Sequence, residues 1–356
     1  MSTSPLESVE REAGGQMSCV NGLMQAQVYR NIREEVTTTT SGVGLIGLSH
    51  IPVIRLSGPD VQRWCNGMFT NNIRRLHPGQ GNRSAMCDDR GRVQGLIDLY
   101  CVEPTTFFAT LEGVTSEWFE KRYNMFLVLD DIECTQEDLV VVSIQGPRCQ
   151  NSLSRLGLTP PSVDHDHIEQ TFADTTVRII RKDRSGLGGF DIFVEPDHAP
   201  LLWQRLRKTG AEPLGHASLN GLRIIAGLAR WPDDGTEVSM VHELLLDGEC
   251  CAFDKGCYVG QEVINRLDVK GGIKKRLTLL RVDSDTPPPS GAAVIVDDKK
   301  VGRVSSVTVI GADIYALAVL RISALKGDAT AVSIVNGTDV SSARAHQLPL
   351  ATPLQR

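Results

Sequence analysis

The sequence predicts an α+β protein with a small all-β domain near its C-terminal end. Three observations carry this prediction. A unit of apolar strand, Gly-Pro turn and amphipathic helix recurs at wide spacing, and a proline-rich break, DSDTPPPSG, falls at 283–291. Beyond the break the chain alternates in short strands joined by hairpin turns. At 356 residues the chain exceeds one typical core and calls for two or three domains. The expected organisation is a partly disordered tail at 1–39, a body of two interleaved α+β lobes at 40–282, the β domain at 283–345, and a disordered tail at 346–356.

Taken in order, the first thirty residues lack a basic start followed by an apolar core, so they do not read as a secretory signal. Glu7, Glu10 and Glu12 argue against an acid-poor mitochondrial presequence. In IPVIRLSGPDVQRWCNGMF (51–69) an apolar alternating run meets Gly-Pro and then a helical pattern. Val61, Trp64, Cys65, Met68 and Phe69 fall on one helix face, Ser57 with Asp60 suits a capping box, and Pro59 suits a first turn. LVVVSIQGPRCQNSLSRL (139–156) repeats the unit. FDIFVEPDHAPLLWQRLRKTG (190–210) is a looser third copy, ending on a glycine fit for a helix C-terminus.

Between the first two copies, residues 84–113 read as an antiparallel meander broken at DDRG and EPTT, with a helix at about 115–127. After the proline-rich break, residues 292–321 form strands with turns at DDKK and IGAD, a small barrel or sandwich.

Apolar residues at 41% and charged residues at 22% leave enough material for a sizeable core. A net charge of −6 gives no global attraction to nucleic acid or anionic lipid, although KKR at 274–276 is locally basic. No apolar run approaches the roughly 18 residues that span a bilayer. Neither a nucleic-acid nor a membrane partner is expected, and the cytoplasm is the expected compartment. The nine cysteines are odd in number and include no Cys-x-x-Cys, which argues against a disulfide framework or a four-cysteine zinc site.

Several motifs read more simply as structure. HDH at 165–167 has two imidazoles and a carboxylate but no further ligands at metal spacing, and a solvated loop is the preferred reading. SGLGG at 185–189 lacks a phosphate-loop pattern and reads as a tight turn. Asp88 and Asp89 read as part of a DDRG turn rather than an acid–base pair. No Gly-x-Ser-x-Gly supports a hydrolase elbow.

DKGCYVGQEVINR (254–266) concentrates more chemistry than any other stretch. Glycines flank Cys257-Tyr258-Val259, as they do where a chain approaches something closely or takes positive φ. GQEVINRL has helix-forming composition, so Cys257 falls just before a helix N-terminus, where that dipole and Lys255 favour the thiolate while Asp254 opposes it. Gln261 and Glu262 offer groups for a heteroaromatic ring edge, and Arg266 is placed to pair with Glu262. The residues alone leave a reactive and a packing role for Cys257 equally open.

Lys-Gly-Cys-Tyr-x-Gly-Gln-Glu followed by Arg266 resembles the signature of the YgfZ-type folate-binding proteins, relatives of the glycine-cleavage T-protein (aminomethyltransferase) associated with iron–sulfur cluster maintenance. The resemblance extends through LSGPDVQRWCNGMFTNNIRRLHPGQGNRSAMCDDRGRV (56–93), LVVVSIQGP, LNGLRIIAGLARWPDDGTE with HELLLD (219–247), and KKVGRVSSV with YALAVLR, about residues 40–340. It departs from T-proteins where they carry an aspartate pair: Gly95 and Leu96 stand there, with Asp98 further along the strand. RSGLGGFD also lacks a glutamate of the T-protein pattern.

The resemblance implies a three-lobed T-protein-like α+β assembly of mixed sheets and helices around an opening, with a C-terminal all-β barrel. Tetrahydrofolate or a derivative is the implied cofactor, with Glu243 on the pterin, Arg223 on the ligand or the wall, and Asn72 lining the pocket. Tyr258, Gln261, Glu262 and Arg266 join them as candidate binding residues, and Cys257 with Lys255 as the candidate reactive pair. No metal site is expected. Two functions follow: an accessory protein for assembly or repair of iron–sulfur enzymes, partnered by its clients or by assembly proteins, or a folate-dependent aminomethyltransferase or demethylase. Loss of the carboxylate pair favours the first.

Overall fold

In the computed structural model, which describes residues 4–20, 22–127, 130–327, 329–337 and 339–348, the repeated Gly-Pro turns are built alike. Gly58 and Gly146 take φ of 139° and 124°. A Cβ would lie 2.0 Å from the Asp131 carbonyl oxygen at the first and 2.6 Å from that of Gly42 at the second, so glycine is required at both. Each turn joins a strand to a helix: Val53–Ser57 to Val61–Met68, and Val140–Gln145 to Cys149–Arg155. Val61, Trp64, Cys65 and the following Phe69 are buried, the face selected by helical spacing. The third copy is strand Gly189–Val194 followed by helix Ala199–Lys208, with Gly210 at φ 94° just beyond.

The fold is α+β, with mixed sheets and a closed barrel. A five-stranded sheet runs in the order Gly81–Cys87, Val93–Glu103, Thr106–Glu112, Val53–Ser57, Glu133–Glu137. A six-stranded sheet runs His167–Phe172, Thr175–Arg181, Gly189–Val194, Val140–Gln145, Gly44–Gly47, Glu212–Pro213, its last pair parallel. The barrel closes in the order Lys275–Asp283, Asp313–Arg321, Lys299–Ile310, Ala293–Val296, Ala329–Asn336, Asp339–Gln347. Leu280, Val294, Val304, Ala316, Ala318, Leu320, Ile334 and Ala345 fill it, alternating with outward residues as strand pleating dictates. Among the described residues no helix is long and apolar enough to cross a membrane.

The chain groups into two units, 1–65 with 73–83 and 97–222, and 66–72 with 84–96 and 223–356. This differs from the expected division in three places. The described residues of the expected tail, 4–20 and 22–39, are ordered into elements: helix Glu7–Glu12, hairpin Gln16–Val20 with Leu23–Val28, and most of helix Ile32–Ser41. Leu6 and Val9, three apart on one helix face, enter a core with Leu45 and Ile144. Asn31 caps the second helix by accepting from the Glu34 N–H at 2.9 Å. The helix is too short to announce itself, and buried Glu10 interrupts its apolar face.

The barrel also begins before the proline-rich break. Lys275–Asp283 pairs with both Asp313–Arg321 and Asp339–Gln347, so the prolines occupy a loop between barrel strands rather than a linker. At the C-terminal end the last strand runs to Gln347; residues 349–356 of the expected tail lie outside the described residues.

Candidate functional site

The segment 254–266 belongs to the second unit, as do Asn72, Arg223 and Glu243. Its helix, Gln261–Lys270, starts from Gly260 at φ 83°. A Cβ on Gly260 would lie 2.7 Å from the Asp88 carbonyl oxygen and 2.8 Å from the Gly91 Cα. The signature and the DDRG turn therefore meet backbone to backbone, which only glycine permits. That turn is organised by Asp88 Oδ1, which accepts from the backbone N–H groups of Arg90 at 3.0 Å and Arg92 at 2.8 Å. Asp88 is thus a turn former.

Lys255 anchors the other end of the loop. Its Nζ donates to the carbonyl oxygens of Phe69 and Asn71, each at 2.6 Å, and lies 4.8 Å from the centre of the Tyr258 ring. Around it, Thr70 Oγ1 donates to Cys250 O at 2.6 Å, and Asn71 Nδ2 donates to Glu249 O at 3.0 Å. Ala252 N–H donates to Thr70 O at 3.1 Å, and Val259 N–H to Gly67 O at 3.2 Å. These bonds lace segment 67–72 to segment 249–259. Thr70 and Asn71 were not singled out by sequence reasoning; the polar run Thr-Asn-Asn was the available signal.

Between the anchors, Gly256 and Cys257 are exposed, and a Cβ on Gly256 would meet nothing within 4 Å. Among the described cysteines Cys19 and Cys257 are exposed, whereas Cys65, Cys87, Cys101, Cys149 and Cys250 are buried. Burial pushes the Cys149 and Cys251 thiols up to about 12 and the Cys101 thiol up to about 11. The structure thus separates a displayed thiol at Cys257 from inert packed ones.

Other expected site residues divide. Tyr258 is buried with Val93, Leu96 and Ile264, and burial pushes its phenol up. Gln261 is half-buried at the start of the helix. Glu262 and Arg266 are exposed and form no ion pair with each other among the described residues, so the expected pairing is not made. Asn72 is half-buried, its backbone N–H donating to Asn71 Oδ1 at 2.8 Å.

Glu243 lies in the 3-10 turn Val241–Leu244 and accepts from the Met240 N–H at 3.3 Å. Burial raises its carboxyl, against the pull of that N–H and of the Lys275 ammonium. Among the described residues the Met240 N–H is the one donor to it, which leaves most of the carboxylate's accepting capacity for a ligand.

Of the two roles expected for Arg223, ligand or wall, its bonds to Asp234 and Ser306 are those of a wall residue. It is 5% exposed, with Nη1 donating to Asp234 Oδ2 at 2.7 Å and Leu228 O at 3.1 Å, and Nη2 to Ser306 Oγ at 2.8 Å. Ser305 and Ser306 hydroxyls donate to Asp234 Oδ1 at 2.5 and 2.7 Å, reaching it through a bulge at Val304–Ser306. Arg223 ties Leu228 and Asp234 to the barrel strand that carries Ser306.

The first unit holds a second concentration of charge. Asp98 Oδ1 accepts from Lys182 Nζ at 2.7 Å, His165 Nε2 lies 2.9 Å from the same ammonium, and Arg83 Nη1 lies 3.3 Å from Asp98 Oδ2. Burial would raise the Asp98 carboxyl, but Lys182, Arg83 and His165 hold it well below the usual carboxylate range. HDH at 165–167 is therefore not a solvated loop. His165 is buried, held at φ 64°, and His167 is 4% exposed. His167 Nδ1 accepts from Arg178 Nη1 at 2.9 Å, so Nε2 carries the proton and donates to Cys101 O at 3.0 Å. SGLGG does form a turn, with Asp183 Oδ1 accepting from the N–H groups of Ser185 and Gly186.

Comparison with known proteins adds to this geometry. Residues 6–255 match the GCVT N-terminal domain, and residues 274–350 match the CAF17 C-terminal beta-barrel domain. The chain is 28% identical over 312 residues to a putative transferase of Arabidopsis thaliana, At1g60990, chloroplastic, covering 83% of this chain and 68% of that one. It is 27% identical over 317 residues to an aminomethyltransferase of Desulforamulus reducens, covering 86% and 85%. The crystal structure of glycine cleavage system aminomethyltransferase T from Bartonella henselae superposes with a TM-score of 0.87 at 19% identity, covering 98% of each chain.

Proposed function

From the premise that this chain belongs to the GCVT N-terminal domain family, we propose that it binds tetrahydrofolate or a derivative and acts as an accessory protein for iron–sulfur enzymes. Its partners on this reading are iron–sulfur clients or assembly proteins, and Cys257 is its reactive residue. The observation that carries the folate assignment is Glu243, a half-buried carboxylate with one backbone donor and a raised pKa. A pterin-type edge with adjacent N–H groups supplies the donors that such a carboxylate lacks. Asn72, on the turn laced to the signature, offers an amide for the same ring system.

The second reading, one-carbon transfer from an amine, draws on the names of the relatives. It needs a carboxylate free to handle protons. Gly95 and Leu96 stand at the positions that resemble the T-protein pair, and Leu96 is packed in an apolar core. Asp98 shares the face of its strand with Leu96 but is held ionised by Lys182 and Arg83, so it is unsuited to the task. The accessory reading is favoured by these residues together with the displayed thiol.

The test is titration calorimetry with tetrahydrofolate under anaerobic conditions. Saturable binding is expected, with Glu243→Ala weakening it roughly ten- to a hundredfold, the ~1.5–3 kcal/mol of a charged hydrogen bond. Absence of binding by the parent protein overturns the folate assignment. Methylene transfer at T-protein rates would replace the accessory reading with the transferase one.

A further inference from the structure

We infer that occupancy of the turn at 69–72 and the exposure of Cys257 are coupled through Lys255, which makes Lys255 a positioning residue. The inference rests on the folate reading given above and assigns that site a regulation.

The argument starts from where the loop is held. Lys255 Nζ takes the carbonyl oxygens of Phe69 and Asn71, two residues apart, at 2.6 Å each. Val259 N–H takes the carbonyl of Gly67 on the same segment at 3.2 Å. The ends of the loop are therefore fastened to two points of one turn, and a change in that turn's curvature changes the span the loop must bridge.

The far end cannot absorb the change. Gly260 is pressed against Asp88 and Gly91 at separations that leave no room for a methyl group. Tyr258, 7% exposed, is buried among apolar residues. Lys255 itself is tethered by two short charge-assisted hydrogen bonds. What remains are the torsions of Gly256, where an added Cβ would meet nothing within 4 Å, and of exposed Cys257. A ligand that orders Asn72 acts on the residue next to Asn71, whose carbonyl Lys255 holds. The adjustment falls on the backbone that carries the thiol, and fixing the turn narrows the orientations it samples.

The experiment measures the rate of Cys257 alkylation by iodoacetamide in the full chain, by mass spectrometry of its peptide, without ligand and with saturating tetrahydrofolate, anaerobically. Cys19, exposed on the N-terminal hairpin, is the internal reference. Calorimetry on the same samples reports binding independently. In the parent protein the ligand is expected to slow Cys257 by about fivefold or more relative to Cys19, the lower end of typical coupling between sites. Lys255→Met, titrated by calorimetry to its own saturation, should lose that dependence. Lys255→Arg, which keeps a charged donor able to bridge two carbonyls, should retain it.

Saturable heat with Cys257 rates that agree within about a factor of two overturns the coupling and leaves folate binding standing. Full ligand dependence in Lys255→Met overturns the role of the lysine. Absence of any binding heat in the parent removes the folate reading and the coupling with it. Should Lys255→Met fail to fold, the parent comparison alone decides whether turn and thiol are coupled, and Lys255→Arg then tests the lysine.

Discussion

Around Asp98, in the first unit, Lys182, His165 and Arg83 are all buried, and the charges answer one another within hydrogen-bond reach. Around Cys257, in the second unit, Lys255 is engaged by carbonyls while Cys257, Glu262 and Arg266 face solvent. The second is one continuous stretch of sequence, whereas the first is assembled from distant residues, Asp98 and Lys182 joining by a hydrogen bond across 84 positions. The difference lies in where the polar groups find partners. A closed cluster has its desolvation offset inside the protein, so it contributes rigidity and offers a ligand little. An open loop keeps its anchors inside and its chemistry outside.

The largest expected effect breaks the closed cluster. Lys182→Met leaves Asp98 buried with Arg83 3.3 Å away and no ammonium beside it, and should lower unfolding stability by about 3 kcal/mol, read by urea denaturation. Asp98→Asn combined with Lys182→Met should recover part of the loss, because Arg83 keeps Glu112, whose Oε2 lies 2.6 Å from its Nη2, and no buried carboxylate is left short of a partner. A Lys182→Met cost below about 1 kcal/mol would mean that the cluster is as solvated as an exposed ion pair, and the contrast with the Cys257 loop would fail.

A somewhat smaller effect, confined to acid, sharpens the same side of the comparison. Burial, with Arg178 beside it, lowers His167 from an ordinary 6.5 to about 4. Between those values the unfolded chain binds a proton that the folded chain excludes, so this stability is complete above pH 6.5 and is lost as pH falls toward 4. Integrated over the window the loss is at most on the order of 3 kcal/mol, less what residual solvent contact screens. Urea midpoints of the parent and of His167→Gln, followed from pH 7 to 4, should converge as pH falls. Parallel curves would assign the acid sensitivity to other groups.

What the sequence makes legible follows from the range of the interactions. Helix Val61–Met68 and the barrel hairpins are written in local periodicity and turn chemistry. Asp297 and Asp298, at φ 48° and 59°, make the two-residue turn that DDKK suggested. The first barrel strand was missed because its neighbour in sequence is a proline-rich loop while its partners lie at 313–321 and 339–347. The ionic cluster was missed for a similar reason. Lys182 and Asp98 are 84 positions apart, and nothing local to either announces the other. Lys255 shows the limit most clearly. Its place beside Cys257 suggested a pair, yet its ammonium is held by carbonyls 184 and 186 positions away. Adjacency in sequence fixed the chemistry on offer but not the direction in which it points.

The smallest expected effect on the fold, and the sharpest on function, belongs to Cys257→Ser. The side chain is exposed and its glycine neighbour is unhindered, so exchanging one atom should shift stability by no more than about 0.5 kcal/mol and leave folate affinity unchanged. Iodoacetamide at mildly alkaline pH should modify Cys257 and Cys19 ahead of the buried thiols, because burial both shields those and, for Cys87 and Cys149, raises them. In cells lacking the native gene, Cys257→Ser should fold and accumulate yet fail to restore iron–sulfur enzyme activity, whereas Cys19→Ser should restore it. Full complementation by Cys257→Ser would make the open loop as structural as the closed cluster. The work of the signature would then rest on Lys255 and Gly260, which hold the loop to its turns, and on the exposed Glu262 and Arg266.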